Sequence, residues 1–278
     1  MSTMTAAPAA TRTRPAYRVT GLRVLRSEWT KFWSLRSTWI TLGISLLLLV
    51  AVGLVAASRY SPQLASQQGS HHLISVGSNP VAIALAGLTL AQLAAGVLGV
   101  LLSAGEYSTG MIRSTLAAVP RRLPVLWSKT AVLGVTALVL GTAGAVAAFV
   151  GGEHFLSGQQ IALSLSSSGV LRCLFGAGAY LALVAVMGVA LGALLRSVAG
   201  GIAALIGGLT LLPVLTDLLP SSWADNLSPY LPGNAGEAMF ALTRDSNTLS
   251  PGAGLAVFAG WTALLIAAAA WRMARTDA

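Results

Sequence analysis

Residues 81–113 read VAIALAGLTLAQLAAGVLGVLLSAGEYSTGMIR, an uncharged run followed by charged positions. The run from Val81 to Ala104 contains no Asp, Glu, Lys, Arg or His. The hydrocarbon core of a bilayer is about 30 Å thick, and about 20 apolar helical residues cross it. The run therefore predicts a membrane-spanning helix. The polar residues after it, from 105 to 129, form a segment that is presented outside the hydrocarbon and is called the charged segment below.

The composition of the whole chain agrees with a membrane protein. Of its 278 residues, 55 % are hydrophobic and only 9 % are charged, whereas a soluble domain carries about a quarter charged residues. Because lipid cannot pair open backbone groups, long apolar runs of this kind form helices. We predict an all-α polytopic membrane protein with one six-helix domain over 37–271. The predicted spans are 37–57, 81–104, 130–150, 173–195, 197–216 and 253–271.

The distribution of Lys and Arg predicts the orientation. With the N-terminus inside, 14 of the 17 Lys and Arg residues lie on the cytoplasmic side. Cytoplasmic loops are enriched in these residues, so both termini are predicted to be cytoplasmic. The Ala, Thr, Pro and Arg content of residues 1–20 is typical of a disordered arm, and 272–278 is a short tail. The net charge of +9 then reflects topology, which disfavours a nucleic-acid partner.

Residues 21–36 precede the first span and have apolar and basic positions at helical spacing. A basic amphipathic helix of this kind lies in the membrane interface. The alternative is a simple aromatic belt with arginines that extend to the headgroups. The predicted interface anchors are Trp29, Phe32, Trp33 and Trp39.

The longest outer segment, 217–252, mixes Leu, Trp, Tyr and Phe with Pro, Gly and Asp. It is too apolar for a free loop and too broken for a full span. We expect short re-entrant helices that pack against the bundle, because lipid cannot satisfy their broken backbone.

Motifs for chemistry are missing from the sequence. It has no P-loop, GxSxG or HExxH, and the spans contain no carboxylate or histidine pair. Intramembrane ionisable residues mark ion relays, so an ion-coupled transporter and an intramembrane protease are both disfavoured. The single cysteine, Cys173, excludes an internal disulfide and a cysteine-based zinc site. The sequence predicts no catalytic, cofactor-binding or metal residue.

The charged segment allows two interpretations. It contains Glu106, Arg113, Arg121, Arg122 and Lys129 among apolar residues. Such a segment fits a docking surface for a soluble partner, and it equally fits a solvated loop that obeys the charge rule for cytoplasmic loops. Composition leaves both interpretations open.

Two stretches resemble ABC-2 type permeases, the membrane subunits of bacterial ATP-binding-cassette exporters. Arg26–Trp39 (RSEWTKFWSLRSTW) is similar to the interfacial opening of that family. Gly105–Arg113 (GEYSTGMIR) is similar to its Gly-Glu-Tyr…Gly-Thr-Ile-Arg segment, with Met111 in place of the usual Thr. The resemblance covers nearly the whole chain and includes short re-entrant helices before the sixth span.

The resemblance implies that a separate cytoplasmic ATP-binding-cassette ATPase, which binds the ATP, receives the charged segment as a coupling segment. It also implies a second permease subunit, as a homodimer or heterodimer, and a bacterial cell membrane. The residues expected to contact the ATPase are Glu106, Tyr107, Arg113, Arg121 and Arg122.

The expected function is the permease subunit of an exporter, with no enzymatic activity of its own. Apolar spans suit a hydrophobic or amphipathic cargo such as a drug, lipid or peptide. Two other classes stay open. One is a membrane scaffold or regulatory subunit that transports nothing, and the other is an enzyme acting on lipids. The candidate catalytic groups for such an enzyme are either Glu153 with His154 or Asp217 with Asp225 and Glu237.

Overall fold

The computed structural model describes residues 20–60, 79–112, 123–157, 163–216, 218, 225–244 and 247–275. These residues form helices and turns, with no strand among them. The helical structure confirms the all-α fold, and six of its helices are long and apolar enough to cross a membrane, as many as the sequence predicts. They are α2 (Arg36–Ser58), α4 (Leu88–Ser108), α5 (Leu123–Leu156), α6 (Val170–Leu195), α7 (Val198–Thr216) and α9 (Pro251–Arg275). Three shorter helices are α1 (Gly21–Ser34), α3 (Pro80–Ala84) and α8 (Pro232–Phe240).

The predicted second span is interrupted. It is divided into α3 and α4 by a turn at residues 85–87. The Asn79 side chain caps α3 by accepting a 2.9 Å hydrogen bond from the backbone N–H of Ala82. At the turn, a Cβ on Gly87 would lie 2.4 Å from the carbonyl oxygen of Leu48. The chain bends where only glycine lets it approach the backbone of α2 this closely.

The helices flanking the charged segment are longer than the sequence predicts. Helix α4 continues to Ser108, and α5 covers Leu123–Leu156 rather than 130–150. Pro124 lies in the first turn of α5, where its missing N–H has no cost. Lys129 therefore belongs to a helix and not to a loop. In the same way α9 extends to Arg275, so part of the predicted tail is helical.

Close contact between α4 and α6 forms the centre of the bundle. A Cβ on Gly99 would lie 2.1 Å from the carbonyl oxygen of Ala185, and one on Gly188 would lie 2.2 Å from that of Gly96. Gly192 also faces the backbone of α4, with its Cβ position 2.8 Å from the carbonyl oxygen of Val100. Small residues allow this approach between helices in lipid. Both glycines of the GxxxG sequence at 188–192 thus pack against a helix of the same chain.

Tyr180 of α6 joins four elements in the core. Its hydroxyl donates a hydrogen bond to the side-chain oxygen of Gln92 in α4. Its ring lies 5.2 Å from that of Phe258 in α9 and 5.5 Å from that of Phe240 at the end of α8, between centroids. Tyr180 and Gln92 are both buried. The hydroxyl and the amide oxygen satisfy each other, which offsets the cost of removing them from water.

Helix α8 lies between α6, α7 and α9 rather than on the surface. A Cβ on Gly233 would lie 2.5 Å from the carbonyl oxygen of Leu209, inside the π-helical stretch of α7, and one on Gly236 would lie 2.2 Å from the Tyr180 ring. Before α8, the Tyr230 carbonyl accepts a 3.0 Å hydrogen bond from Trp261 Nε1, ten residues into α9. After α8, the Ala241 carbonyl accepts one from Arg172 at the start of α6. The start of α8 therefore lies about 15 Å from the first residue of α9, measured along that helix. The end of α8 lies level with the first turn of α6.

The close contact of α4 and α6 has a testable consequence. We expect Gly188→Ala to lower the free energy of unfolding by about 1–3 kcal/mol, the usual cost of overpacking, because its methyl group overlaps the Gly96 carbonyl. Gly260→Ala in α9, where a Cβ meets nothing within 4 Å, is the control and should be neutral or stabilising by up to about 1 kcal/mol. Thermal unfolding in detergent measures both. Equal stability of the two variants contradicts the packing described.

Candidate functional site

Four charged side chains meet at the end of the bundle where α2 and α5 begin and α4 ends. Lys129 Nζ lies 3.0 Å from Glu28 Oε2 and 2.9 Å from Glu106 Oε1. Lys31 Nζ lies 2.7 Å from Glu28 Oε1 and 3.5 Å from Glu106 Oε1. These four residues, called the ion cluster below, connect α1, α4 and α5.

The sequence of α1 explains why Glu28 reaches the cluster. Val24, Glu28 and Phe32 recur every four residues and form the buried face of α1, and residues four apart share one side of a helix. Phe32 is 3 % exposed and belongs to the main hydrophobic core. The apolar contacts of Val24 and Phe32 therefore hold the Glu28 carboxylate against α5.

The charges in the cluster are buried but paired. Glu28 and Glu106 are each 5 % exposed and Lys129 is 8 % exposed. Burial alone would raise the pKa of the Glu28 carboxyl, but the ammonium groups of Lys129 and Lys31 outweigh it and hold that pKa below its usual value. Burial alone would likewise lower the pKa of Lys31, but Glu28 and Glu106 outweigh it and raise that pKa. Both pKa shifts favour the ionised forms of Glu28 and Lys31.

Tyr107, next to Glu106, contacts another part of the bundle. The Arg196 guanidinium lies over its ring, 5.1 Å from the centroid, in the range of a cation–π interaction. Arg196 ends α6 in the left-handed conformation with φ 54°, before α7 begins. The last turn of α4 thus contacts α1 and α5 through Glu106 and the α6–α7 turn through Tyr107.

A cavity of about 670 Å³ opens beside the ion cluster. Its wall combines charged and hydroxyl side chains with aliphatic ones from α1, α2, α4 and α5. This volume lies within the range of small-molecule sites, about 300–1,000 Å³. The polar part includes Glu28, Lys31, Thr38, Thr41, Glu106 and Lys129, and the apolar part includes Phe32, Leu98, Leu101, Leu102 and Val132.

The predicted interface anchors divide into two groups. Trp29, Trp33 and Trp39 are 44 %, 46 % and 39 % exposed, and their rings form a row with centroids 5.5 Å and 4.3 Å apart. Trp39 Nε1 also donates a 3.2 Å hydrogen bond to the Trp33 carbonyl. The sequence places Phe32 with them, but its ring is inside the protein. The three tryptophans form an exposed aromatic row at this end.

Other predicted residues are not brought together. Arg113, Arg121, Arg122 and Asp217 lie outside the described residues. Glu153 and His154 lie about 36 Å along α5 from Lys129, at 1.5 Å per residue. Asp225 accepts a hydrogen bond from Asn247, and Glu237 lies on the exposed side of α8. Across the described ranges, no three His, Cys, Asp or Glu residues group as metal ligands would.

The sequence predicts a role for Glu106 but not for its partners. It places Glu28 and Lys31 in the interfacial helix and Lys129 at the end of the charged segment. One sequence feature indicates the ion pair: Glu106 and Lys129 lie at facing ends of consecutive spans, where antiparallel helices bring opposite charges together.

Comparison with protein-family models, curated proteins and solved structures found no match. The function of this chain is therefore inferred from the geometry of its own side chains.

The pairing in the cluster predicts the cost of removing its central cation. Lys129→Met should lower the free energy of unfolding by about 3–5 kcal/mol, because it leaves two buried carboxylates with one less partner. Unfolding in detergent at neutral pH measures the loss. Glu153→Gln is the control, since Glu153 has no ion pair in the described structure. A Lys129→Met protein as stable as this control contradicts a structural role for the cluster.

The lowered pKa of Glu28 predicts a pH dependence. A depressed carboxyl pKa stabilises the fold above the unfolded value of about 4.3, and this contribution is lost as pH falls through the lower folded value. The difference in stability between the native chain and Glu28→Gln should stay constant from pH 8 to 5 and shrink below about pH 4. Thermal unfolding across this range tests the sign, and a difference that grows on acidification contradicts it.

Proposed function

We propose that this chain is the membrane permease subunit of an ATP-binding-cassette exporter of the ABC-2 type, driven by a separate cytoplasmic ATPase. The chain would cross a bacterial cell membrane six times with both termini inside. The ATPase would bind the charged segment and supply the energy, and the permease would move a hydrophobic or amphipathic cargo outward.

The ion cluster is the observation that supports this proposal. Glu106 lies at the end of α4 and Lys129 in the second turn of α5, so the two ends of the charged segment are joined by a 2.9 Å ion pair. The same lysine is bound to Glu28 of α1. A solvated loop does not require a buried ion pair where it joins the helices. A segment that receives force from a partner does require one, because the ion pair transmits the force to several helices at once.

The cluster and its neighbours suggest how motion of the ATPase would be transmitted. A displacement of the charged segment would move α4 and α5 together, and α1 with them through Glu28. The contact of Tyr107 with Arg196 would carry the displacement to the α6–α7 turn. An ion pair between two helices is either formed or broken, and a transporter that alternates between two states requires contacts that switch in this way.

Three further features support the proposal. The exposed row of Trp29, Trp33 and Trp39 suits the headgroup region of the inner leaflet, where such rings are enriched. The position of α8, which starts half-way along α9, suits a re-entrant helix in the outer leaflet. Only 17 % of the most apolar window of α7 is buried within the chain, which leaves a large apolar face for a second permease subunit and lipid.

Charge reversal in the segment tests ATPase docking. We expect Arg121→Glu with Arg122→Glu to weaken co-purification with an ATP-binding-cassette ATPase of the same genome about tenfold or more, a loss of about 1.4 kcal/mol. ATP-dependent accumulation of a fluorescent amphiphile in inverted vesicles should fall with it. Arg59→Glu with Arg244→Glu, on the predicted outer side, is the matched control.

Two outcomes contradict the proposal. Normal binding and stimulation of the ATPase by the Arg121 and Arg122 variant would remove the charged segment as the docking site. A complex that assembles normally but moves no amphiphile tested would favour the scaffold or regulatory class instead.

A further inference from the structure

Two polar side chains that line the cavity beside the ion cluster can accept further hydrogen bonds. Thr38 is fully buried, and its Oγ1 has no hydrogen-bond partner among the described residues. A buried polar atom without a partner costs about 1–3 kcal/mol, so Thr38 Oγ1 is suited to a bound ligand. Glu106 is bound to both lysine ammonium groups through Oε1, and its second oxygen, Oε2, is a further acceptor for the same ligand.

The chemistry of these atoms defines the head of that ligand. A carboxylate oxygen only accepts hydrogen bonds, whereas a threonine hydroxyl accepts and donates. A group that donates several hydrogen bonds and carries positive charge satisfies both, and charge-assisted bonds are the strong ones. A primary ammonium has three N–H donors and meets this description, while a quaternary ammonium has none.

The rest of the cavity defines the body of the ligand. Leu98, Leu101 and Leu102 form an aliphatic wall along α4, and Phe32 and Val132 close it from α1 and α5. Leu101 is 40 % exposed, so the wall continues to the outer surface of the bundle. A hydrocarbon chain lying on these side chains would be removed from water at one end and reach the membrane at the other.

We propose that the cavity binds a primary alkylammonium amphiphile. Its ammonium group donates to Glu106 Oε2 and Thr38 Oγ1, and its hydrocarbon chain lies along Leu98, Leu101 and Leu102. Phosphatidylethanolamine of the inner leaflet and an amine cargo share this chemistry. The inference rests on the proposed function only in treating such a ligand as cargo, because binding itself needs no ATPase.

Binding to the purified full-length chain tests the ligand chemistry. The probe is dodecylammonium, compared with dodecyltrimethylammonium, which has the same charge and chain but no N–H donor. Titration calorimetry of the chain in phosphatidylcholine nanodiscs should give about tenfold tighter binding of dodecylammonium, the gain from one net hydrogen bond of about 1.4 kcal/mol. Equal affinity for the two amphiphiles overturns the proposal.

Variants locate the site without removing the ion cluster. Thr38→Val keeps the shape of the side chain and removes only the hydroxyl, so it should abolish most of the preference for dodecylammonium. Leu101→Trp should fill the cavity and weaken both probes about tenfold or more. Leu264→Trp on the exposed face of α9 is the matched control and should bind like the native chain. Native affinities for both cavity variants overturn the assignment.

Native mass spectrometry of the chain extracted from phosphatidylethanolamine-containing membranes identifies the source. Retention of this lipid by the native chain and the Leu264→Trp variant, with loss in Leu101→Trp, supports a resident lipid. A cargo is supported if no lipid is retained and inverted vesicles take up dodecylammonium in an ATP-dependent way that Leu101→Trp reduces. If the chain retains no lipid, transports no dodecylammonium and binds neither probe, the site is overturned. Failure of ATPase docking leaves the nanodisc titration unchanged, so the two proposals fail separately.

Discussion

The ammonium group of Lys129 lies between two carboxylates from different helices, and the whole charged end of the bundle is arranged around it. A lysine this deeply buried is tolerated only when it is paired. Glu106 alone would satisfy one side of it, so α1 must lie against α5 to supply Glu28. Lys31 then compensates the second carboxylate. The position of α1, the end of α4 and the cavity between them all follow from this arrangement.

The spans could be predicted from sequence because each depends on a local property, an uncharged run long enough to cross a bilayer. Their ends could not, because these depend on tertiary contacts. The predicted second span breaks before Leu88 because Gly87 meets the backbone of α2. Helix α5 continues back to Leu123 across Lys129, since the carboxylates of Glu28 and Glu106 make that charge acceptable inside the protein.

The site shows the same division. Glu106 and Tyr107 stood out because they are polar residues directly after an apolar run, which sequence alone reveals. Lys129 joins Glu106 to Glu28, which is 78 positions away in the chain, and Tyr107 contacts Arg196, which is 89 positions away. No local pattern specifies either contact. Phe32 illustrates the converse: it is predicted to be an interface anchor, yet it shares one face of α1 with Val24 and Glu28, and that face is buried in the protein. Composition identifies an amphipathic helix but does not tell a membrane-facing ring from a protein-facing one.

The contacts of α8 constrain how this chain can vary. Gly176, Gly233, Gly236 and Gly254 bring backbone or rings against it from its three neighbours, and any side chain at these positions would collide. The fit of α8 therefore cannot be adjusted by exchanging residues there unless a neighbouring helix moves. Glu237 is the exposed position of α8, so a substitution at that position changes the chemistry of the helix surface without altering its packing.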